Sequence, residues 1–197
     1  MNRRSSNGQK RKIISTAFNL FYQYGVHAVG INRVISESGV AKKTLYTYFP
    51  SKEELIAATV EYCDLRYFSR LQSRIKKIED GRLTILELFN DLDDSINRRI
   101  IASPPFYGCY FINVSAEFSN PENLIHKICA KNKNEMYELI KHHVSKILPS
   151  EKDVIEVSET INMLFEGAIV RAHILQDLQS AIKARTAVEK IILSELK

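Results

Sequence analysis

The apolar residues of this 197-residue chain recur at steps of three and four positions along almost its whole length. The first clear case runs from Ile13 to Tyr24, where the apolar side chains fall on one face of a helix. Gly25 follows the last of them, as is common after a helix C-terminus. No segment sustains the alternation of apolar and polar residues that a half-buried strand requires. This periodicity predicts an all-α protein of about nine helices with no internal repeat.

Turn signals divide the N-terminal quarter of the chain into short helices. Residues 31–38 form one predicted helix, Gly39 begins a tight turn, and residues 42–49 form a second helix. Pro50 ends the second helix, because proline has no N–H and disfavours helical conformation at the residue before it. Ser51 opens the S-K-E-E sequence of a capping box, which predicts the start of a further helix.

Longer amphipathic segments follow, separated by proline, glycine and asparagine turns. They extend the helical pattern to the C-terminus without any strand-like interruption. The predicted helical segments after the capping box are residues 51–80, 83–101, 107–118, 122–148, 150–178 and 181–196.

The charge of the chain is concentrated at its N-terminus. Residues 1–52 carry nine Lys or Arg and one acidic residue, a formal net charge of +8, whereas residues 53–197 carry a net charge of −3. Such an asymmetry is typical of a polyanion-binding module joined to a mildly acidic body. The alternative is a solvated basic face that has no partner.

The cysteines and the hydropathy of the sequence indicate the cellular compartment of the protein. Cys63, Cys109 and Cys129 are odd in number and widely spaced, which is typical of reduced thiols. We expect Cys109 to be a small buried residue, and the alternative is that it serves as a thiol sensor. No apolar run approaches the roughly 18 residues of a membrane span, and the basic N-terminus lacks the apolar core of a secretory signal. We therefore expect a cytoplasmic protein without a membrane partner.

The two short helices joined by a glycine turn form a helix-turn-helix pattern within a basic segment. The second helix of that motif enters the major groove of DNA. Leu45 and Phe49 would pack behind this helix, while its amino and hydroxyl groups reach base edges or phosphates. Side chains at the starts of the preceding and following helices can hold the phosphates on either side. The predicted DNA-binding residues are Asn32, Arg33, Lys42, Lys43, Thr44, Tyr46, Thr47, Tyr48 and Lys52.

Residues 17–55 resemble the DNA-binding domain of TetR-family transcriptional regulators. The matching pieces are A-F-x-L-F-x-x-Y-G at 17–25, G-I-x-x-V-I at 30–35, S-G-V-A-K at 38–42 and T-L-Y-x-Y-F-x-S-K-E-E-L at 44–55. The resemblance implies a repressor that binds a palindromic operator as a homodimer. It also implies release of the operator by a small molecule, and the aromatic residues of the body favour a hydrophobic or aromatic ligand. The implied domains are residues 1–52 for DNA and residues 53–197 for ligand binding and dimerisation.

The resemblance also implies roles within the predicted DNA-binding set. Backbone contacts are implied for Thr44, Tyr46, Tyr48 and Lys52, and base contacts for Lys42, Lys43 and Thr47. Packing of Tyr46 against the first helix is the alternative for that residue, since tyrosine serves both purposes.

Three positions depart from the family pattern. Ala41 stands where the family usually has Ser or Thr, so the recognition helix lacks its usual N-cap, at a cost of roughly 1 kcal/mol. Arg33 stands where an acidic residue is common, which allows a phosphate contact. Lys43 replaces a residue that is usually small, which adds a base or phosphate contact.

The larger body contains a predicted small-molecule site. The stretch Y-G-C-Y-F-I-N-V-S-A-E-F at 107–118 resembles a G-C-x-F-x-N-x-x-x-E stretch of one family subgroup. A mainly apolar cavity with a few polar groups, among them Asn113 and Glu117, would be the usual kind of site. A plain hydrophobic core is the alternative. The predicted ligand-binding residues are Phe89, Leu92, Ile96, Phe106, Tyr110, Phe111, Val114, Phe118, Phe165, Ile169 and His173.

The last two predicted helices have the composition of a dimer interface. One copy of each helix from two subunits would form a four-helix bundle about a two-fold axis. An intramolecular core is the alternative, and the family resemblance favours the dimer. The predicted interface residues are Ile161, Leu164, Phe165, Ala168, Ala172, Leu175, Leu178, Ile182, Val188, Ile191, Ile192 and Leu196.

Enzymatic function has little support in the sequence. The chain has no nucleotide-binding glycine loop, no GxSxG, no HExxH and no metal-ligand spacing among its histidines. We therefore expect no catalytic residues, metal or cofactor. Two alternatives remain: an architectural DNA binder without a ligand, and an all-helical enzyme in which Glu117 and His173 form an acid/base pair.

Overall fold

The computed structural model describes residues 3–101 and 103–195, and within those ranges the chain forms nine α-helices and no strand. This confirms the predicted all-α fold; Leu196, predicted in the dimer interface, lies outside the described residues. None of the described helices combines the length and apolar composition needed to cross a bilayer. The helices are α1 (Arg3–Tyr24), α2 (Ile31–Ser38), α3 (Lys42–Tyr48), α4 (Lys52–Ile75), α5 (Gly81–Ile96), α6 (Tyr110–Glu117), α7 (Leu124–Val144), α8 (Glu151–Leu175) and α9 (Ser180–Glu195).

The chain divides into two compact units. The first unit comprises Met1–Tyr67 and Tyr110–Asn132, and the second comprises Phe68–Cys109 and Lys133–Lys197. The chain therefore passes from one unit to the other within α4, at the start of α6 and within α7. These units are defined by packing, so the division into functional domains at residues 52 and 53 stays a prediction.

Helix ends differ from the predicted ends where the backbone turns left-handed. Arg98 has φ 56°, and α5 ends at Ile96 instead of continuing to residue 101. Gln176 has φ 53° and caps α8, which ends at Leu175 instead of residue 178. Neither residue is a glycine, so neither left-handed turn has the usual sequence signal.

The core of the first unit is built on α1. Ile13 and Ala17 are fully buried, and they are followed along the same face by an aromatic cluster. The ring of Phe18 lies 4.9 Å from the ring of Tyr110 and 5.6 Å from that of Tyr22. This cluster joins α1 to α6, which is distant in sequence, so the first unit needs a segment from the middle of the chain.

The second unit combines an apolar core with a charged network. Phe89 of α5 and Phe165 of α8 are buried with their ring centroids 5.3 Å apart. Also in α5, the side chain of Asp91 is only 1% exposed, and its carboxylate lies 2.6 Å from Arg70 and 3.5 Å from Arg74. Such a carboxylate is stable inside a protein only because cations pair with it. The network thus ties the C-terminal half of α4 to α5.

We expect Asp91→Ala to lower the free energy of unfolding by about 3 kcal/mol, because it removes a carboxylate that two partly buried arginines share. Chemical denaturation at a fixed protein concentration measures the difference. Glu189→Ala is the control: Glu189 is 37% exposed and lies 3.9 Å from Arg185. Its loss should cost less than about 0.5 kcal/mol. Equal costs for the two variants would rule out a special structural role for Asp91.

Candidate nucleic-acid interface

A glycine in the left-handed region joins α2 to α3. Gly39 has φ 62°, and its N–H donates to the carbonyls of Ile35 at 3.0 Å and Ser36 at 3.3 Å. Residues with a Cβ avoid this conformation, which makes glycine the common choice after a helix. Ala41 then precedes α3 without a side-chain hydrogen bond to the first turn, as the sequence predicted. Two short helices therefore flank one tight turn.

The seven residues of α3 divide into a buried side and an exposed side. Leu45 is fully buried, and Phe49, which caps the C-terminus of α3, is 3% exposed. The opposite side carries amino and hydroxyl groups, which are the donors that phosphates and base edges accept. Its exposed residues are Lys42, Lys43, Tyr46 and Thr47, and its half-buried residues are Thr44 and Tyr48.

The surroundings of Tyr46 and Thr47 leave both side chains able to contact DNA. Tyr46 is 41% exposed, so its ring is not sequestered in the core behind α3. The hydroxyl of Thr47 donates to the carbonyl of Lys43 at 2.8 Å. Because a hydroxyl oxygen also accepts hydrogen bonds, Thr47 can still receive one from a base.

The N-terminal turn of α2 presents a cation that is already held in place. Arg33 Nε lies 3.0 Å from a carboxylate oxygen of Glu37, and its guanidinium lies 4.1 Å from the ring centroid of Tyr24. The partners of Arg33 within the protein are therefore Glu37 and Tyr24. An exposed ion pair contributes little to stability, so a phosphate can compete for the same guanidinium. Asn32 is exposed beside it.

Lys52 is the first residue of α4. The N–H of Glu54 donates to the hydroxyl of Ser51 at 3.1 Å, which confirms Ser51 as the predicted cap. The amino group of Lys52 donates to the carbonyl of His27 at 3.4 Å. Burial lowers the pKa of Lys52, and the nearby carboxylate of Glu117 acts in the opposite direction. This lysine is therefore tied to the loop between α1 and α2.

Glu117 has a contact that the sequence did not predict. The sequence predicts a place for it in the ligand pocket, but its carboxylate accepts hydrogen bonds from the backbone N–H groups of Val26 and His27, each at 2.8 Å. A carboxylate oxygen also lies 3.0 Å from Nδ1 of His27. The only sequence signal was its place at the end of the stretch that resembles a family subgroup.

The predicted ligand-binding residues fall in both units. Among them, the Tyr110 hydroxyl lies 2.8 Å from that of Thr59, and burial raises the pKa of Tyr110. A Cβ on Gly108, which has φ 86°, would lie 2.6 Å from Nδ1 of His173, so the glycine lets this ring approach the backbone. In the second unit Phe89, Leu92, Ile96, Phe165 and Ile169 are buried and Phe106 and His173 are half-buried; in the first, Tyr110, Phe111 and Val114 are buried and Phe118 is half-buried.

The N-terminal region matches known regulators most strongly. A sequence model for the tetR family of bacterial regulatory proteins matches residues 13–59. YxaF of Bacillus subtilis, an uncharacterized HTH-type transcriptional regulator, is 47% identical over 60 residues, which are 29% of this chain. That match spans about a third of YxaF, 31% of its length.

Two further similarities extend over most of the chain. The HTH-type transcriptional regulator LmrA of Bacillus subtilis is 24% identical over 162 residues, covering 82% of this chain and 84% of LmrA. The crystal structure of SCO4454, a TetR-family transcriptional regulator from Streptomyces coelicolor, superposes with a TM-score of 0.86 at 23% identity. It covers 96% of this chain and 97% of SCO4454. The relatives and the fold are thus those of transcriptional regulators, which are not enzymes.

We expect Gly39→Ala to lower the free energy of unfolding by about 1 kcal/mol, because alanine is strained at a left-handed φ. Among the described residues other than the chain neighbours of Gly39, only the amino nitrogen of Lys12 lies within 4 Å of the added Cβ, at 3.8 Å, so the cost is conformational. Gly8→Ala in α1 is the control, because no atom of the described side chains lies within 4 Å of the added Cβ and alanine favours a helix. Denaturation curves should show a loss for the first variant and none for the second. A neutral Gly39→Ala would contradict the described turn.

Proposed function

Because this chain belongs to the TetR family of transcriptional regulators, we propose that it is a repressor that binds a palindromic operator as a homodimer. A small hydrophobic or aromatic ligand, bound by residues 53–197, releases the operator, which residues 1–52 contact. Its place of action is the cytoplasm, with the DNA. The observation that carries the DNA-binding part is the exposed amino and hydroxyl side of α3, backed by the buried Leu45.

The DNA contacts divide into two kinds. Lys42, Lys43 and Thr47 are exposed along α3 and read base edges in the major groove. The remaining residues hold phosphates, which fixes the register of α3 without carrying sequence information. These phosphate contacts are Asn32, Arg33, Thr44, Tyr46, Tyr48 and Lys52.

The ligand part of the proposal follows from the apolar character of the body. The buried pair of Phe89 and Phe165 supplies aromatic surface in the second unit. The half-buried His173 supplies a polar ring there. A predominantly apolar lining with few polar groups selects an apolar or aromatic molecule. The proposed ligand contacts are the seven predicted residues of the second unit, Phe89, Leu92, Ile96, Phe106, Phe165, Ile169 and His173.

The homodimer is proposed to form through α8 and α9. Among the predicted interface residues, Leu175 is 62% and Leu178 50% exposed, and Leu164, Ile182 and Ile191 are half-buried. Ile161, Phe165, Ala168, Ala172, Val188 and Ile192 are buried within the protomer, as in the intramolecular alternative. Exposed apolar residues remain on another side of α8: Met163 is 64%, Val170 49% and Ile174 68% exposed. Their spacing places them on one stripe along α8. We propose that the same stripe of a second protomer packs against it.

We expect Lys43→Ala and Lys52→Ala to affect DNA binding in different ways. Lys43→Ala should change the preferred base at its contact, by about 1–3 kcal/mol of discrimination. Lys52→Ala should weaken binding to every operator variant and reduce the salt slope by about 1. Titration of a panel of single-base operator variants at several salt concentrations separates the two effects. A uniform loss across the panel for both lysines would defeat this division of roles.

We expect Ile174→Glu to weaken dimerisation at least about a hundredfold, because the symmetric stripe would bury two like charges. Sedimentation velocity over a range of concentrations measures the change. Leu83→Glu is the matched control, since Leu83 of α5 is also an apolar residue with 50% exposure. It should remain dimeric. A dimer that tolerates Ile174→Glu as well as Leu83→Glu would place the interface elsewhere.

A further inference from the structure

The loop between α1 and α2 is held by one carboxylate. Both oxygens of Glu117 accept backbone N–H groups, one from Val26 and the other from His27. Val26 is fully buried, so its N–H has little access to water, and an unpaired buried N–H is costly. Gly25 lets the carboxylate come this close, since a Cβ there would lie 3.0 Å from Glu117.

The same loop connects Glu117 to a predicted phosphate contact. His27 donates its N–H to Glu117, while its carbonyl accepts from the amino group of Lys52. A single residue of the loop therefore joins the end of α6 to the start of α4. The loop also leads directly into Gly30, the N-cap of α2, and so into the turn that carries Asn32 and Arg33.

We propose that Glu117 is a positioning residue for DNA binding. It fixes the loop from Gly25 to Gly30, and through that loop it sets the start of α2 and the amino group of Lys52 in the geometry that phosphates require. This inference rests on the proposed function, because it assumes that these groups contact DNA. It assigns Glu117 to the DNA-binding machinery instead of the ligand pocket.

Electrostatics alone predicts the opposite effect on affinity. A carboxylate near Lys52 opposes the attraction of a phosphate for that lysine, so removing its charge should tighten DNA binding. If Glu117 positions the loop, removing its charge should weaken binding, because glutamine presents an NH2 donor in place of one of the two oxygens that accept these N–H groups. The sign of the change therefore separates positioning from charge.

The experiment measures operator affinity for Glu117→Gln, Glu117→Asp and a charge-matched control. We expect both Glu117 variants to bind about tenfold more weakly than wild type, since each loses charge-assisted hydrogen bonds. Aspartate keeps the charge, but it is one methylene too short to hold both N–H groups. The control is Glu122→Gln, which removes an equal charge in the same unit from a side chain that is 80% exposed and pairs with Lys127. Its affinity should stay within about twofold of wild type.

A double-mutant cycle measures the coupling between Glu117 and Lys52 in operator affinity, which a general loss of stability would not change. Lys52→Ala should cost less affinity in the Glu117→Gln background than in wild type, because Lys52 is already misplaced there. Lys43→Ala should cost the same in both backgrounds. Hydrogen exchange at the amides of Val26 and His27 should quicken in Glu117→Gln while the core of α1 stays protected.

The possible results are distinct. Weaker binding by both Glu117 variants, with coupling to Lys52 alone, supports the positioning role. Wild-type or tighter binding by Glu117→Gln overturns it, and so does equal coupling to Lys43. A Glu117 variant that loses protection throughout α1 also overturns it, because Glu117 would then support the fold in general. If wild type itself binds no operator, the proposed function fails and this inference falls with it, even if the exchange data show the loop held by Glu117.

Discussion

The burial of Leu45 behind α3 is the constraint on which the DNA-binding surface depends. A helix of seven residues is not stable alone in water, because its nucleation cost is not recovered over two turns. Leu45 and Phe49 dock α3 on the core of α1 and α2, and this docking fixes which side chains face outward. The amino and hydroxyl groups of α3 are therefore displayed on a rigid support, which is what a sequence reader needs.

Much of this support can be predicted from sequence because its signals are local. Glycine at a left-handed turn, proline after α3 and serine at the start of α4 each act within a few residues of their own position. The spacing of apolar residues predicted the buried side of α3. The remaining residues of the helix were therefore expected to be exposed. The charge asymmetry of +8 against −3 pointed to the same segment through a long-range electrostatic argument.

The features that could not be predicted from the sequence depend on contacts between distant residues, or lie in segments without a clear apolar period. Glu117 lies 91 residues from Val26 along the chain, and no local signal joins an acidic residue at a helix end to a particular loop. The start of α1 at Arg3 was hidden because its first ten residues, R-R-S-S-N-G-Q-K-R-K, have no apolar period. The exposed residues Met163, Val170 and Ile174 of α8 were missed because buried and exposed apolar residues occur on several sides of that helix.

In the proposed function, the first unit reads DNA sequence as part of a symmetric dimer. Selection of bound fragments from sheared genomic DNA at near-physiological salt, followed by sequencing, tests it most directly. We expect one enriched palindrome whose half-sites lie about one helical turn apart or slightly more. Recovery of fragments with no shared sequence, at a yield that falls with salt, would contradict it, because the basic surface would then bind only the phosphate backbone.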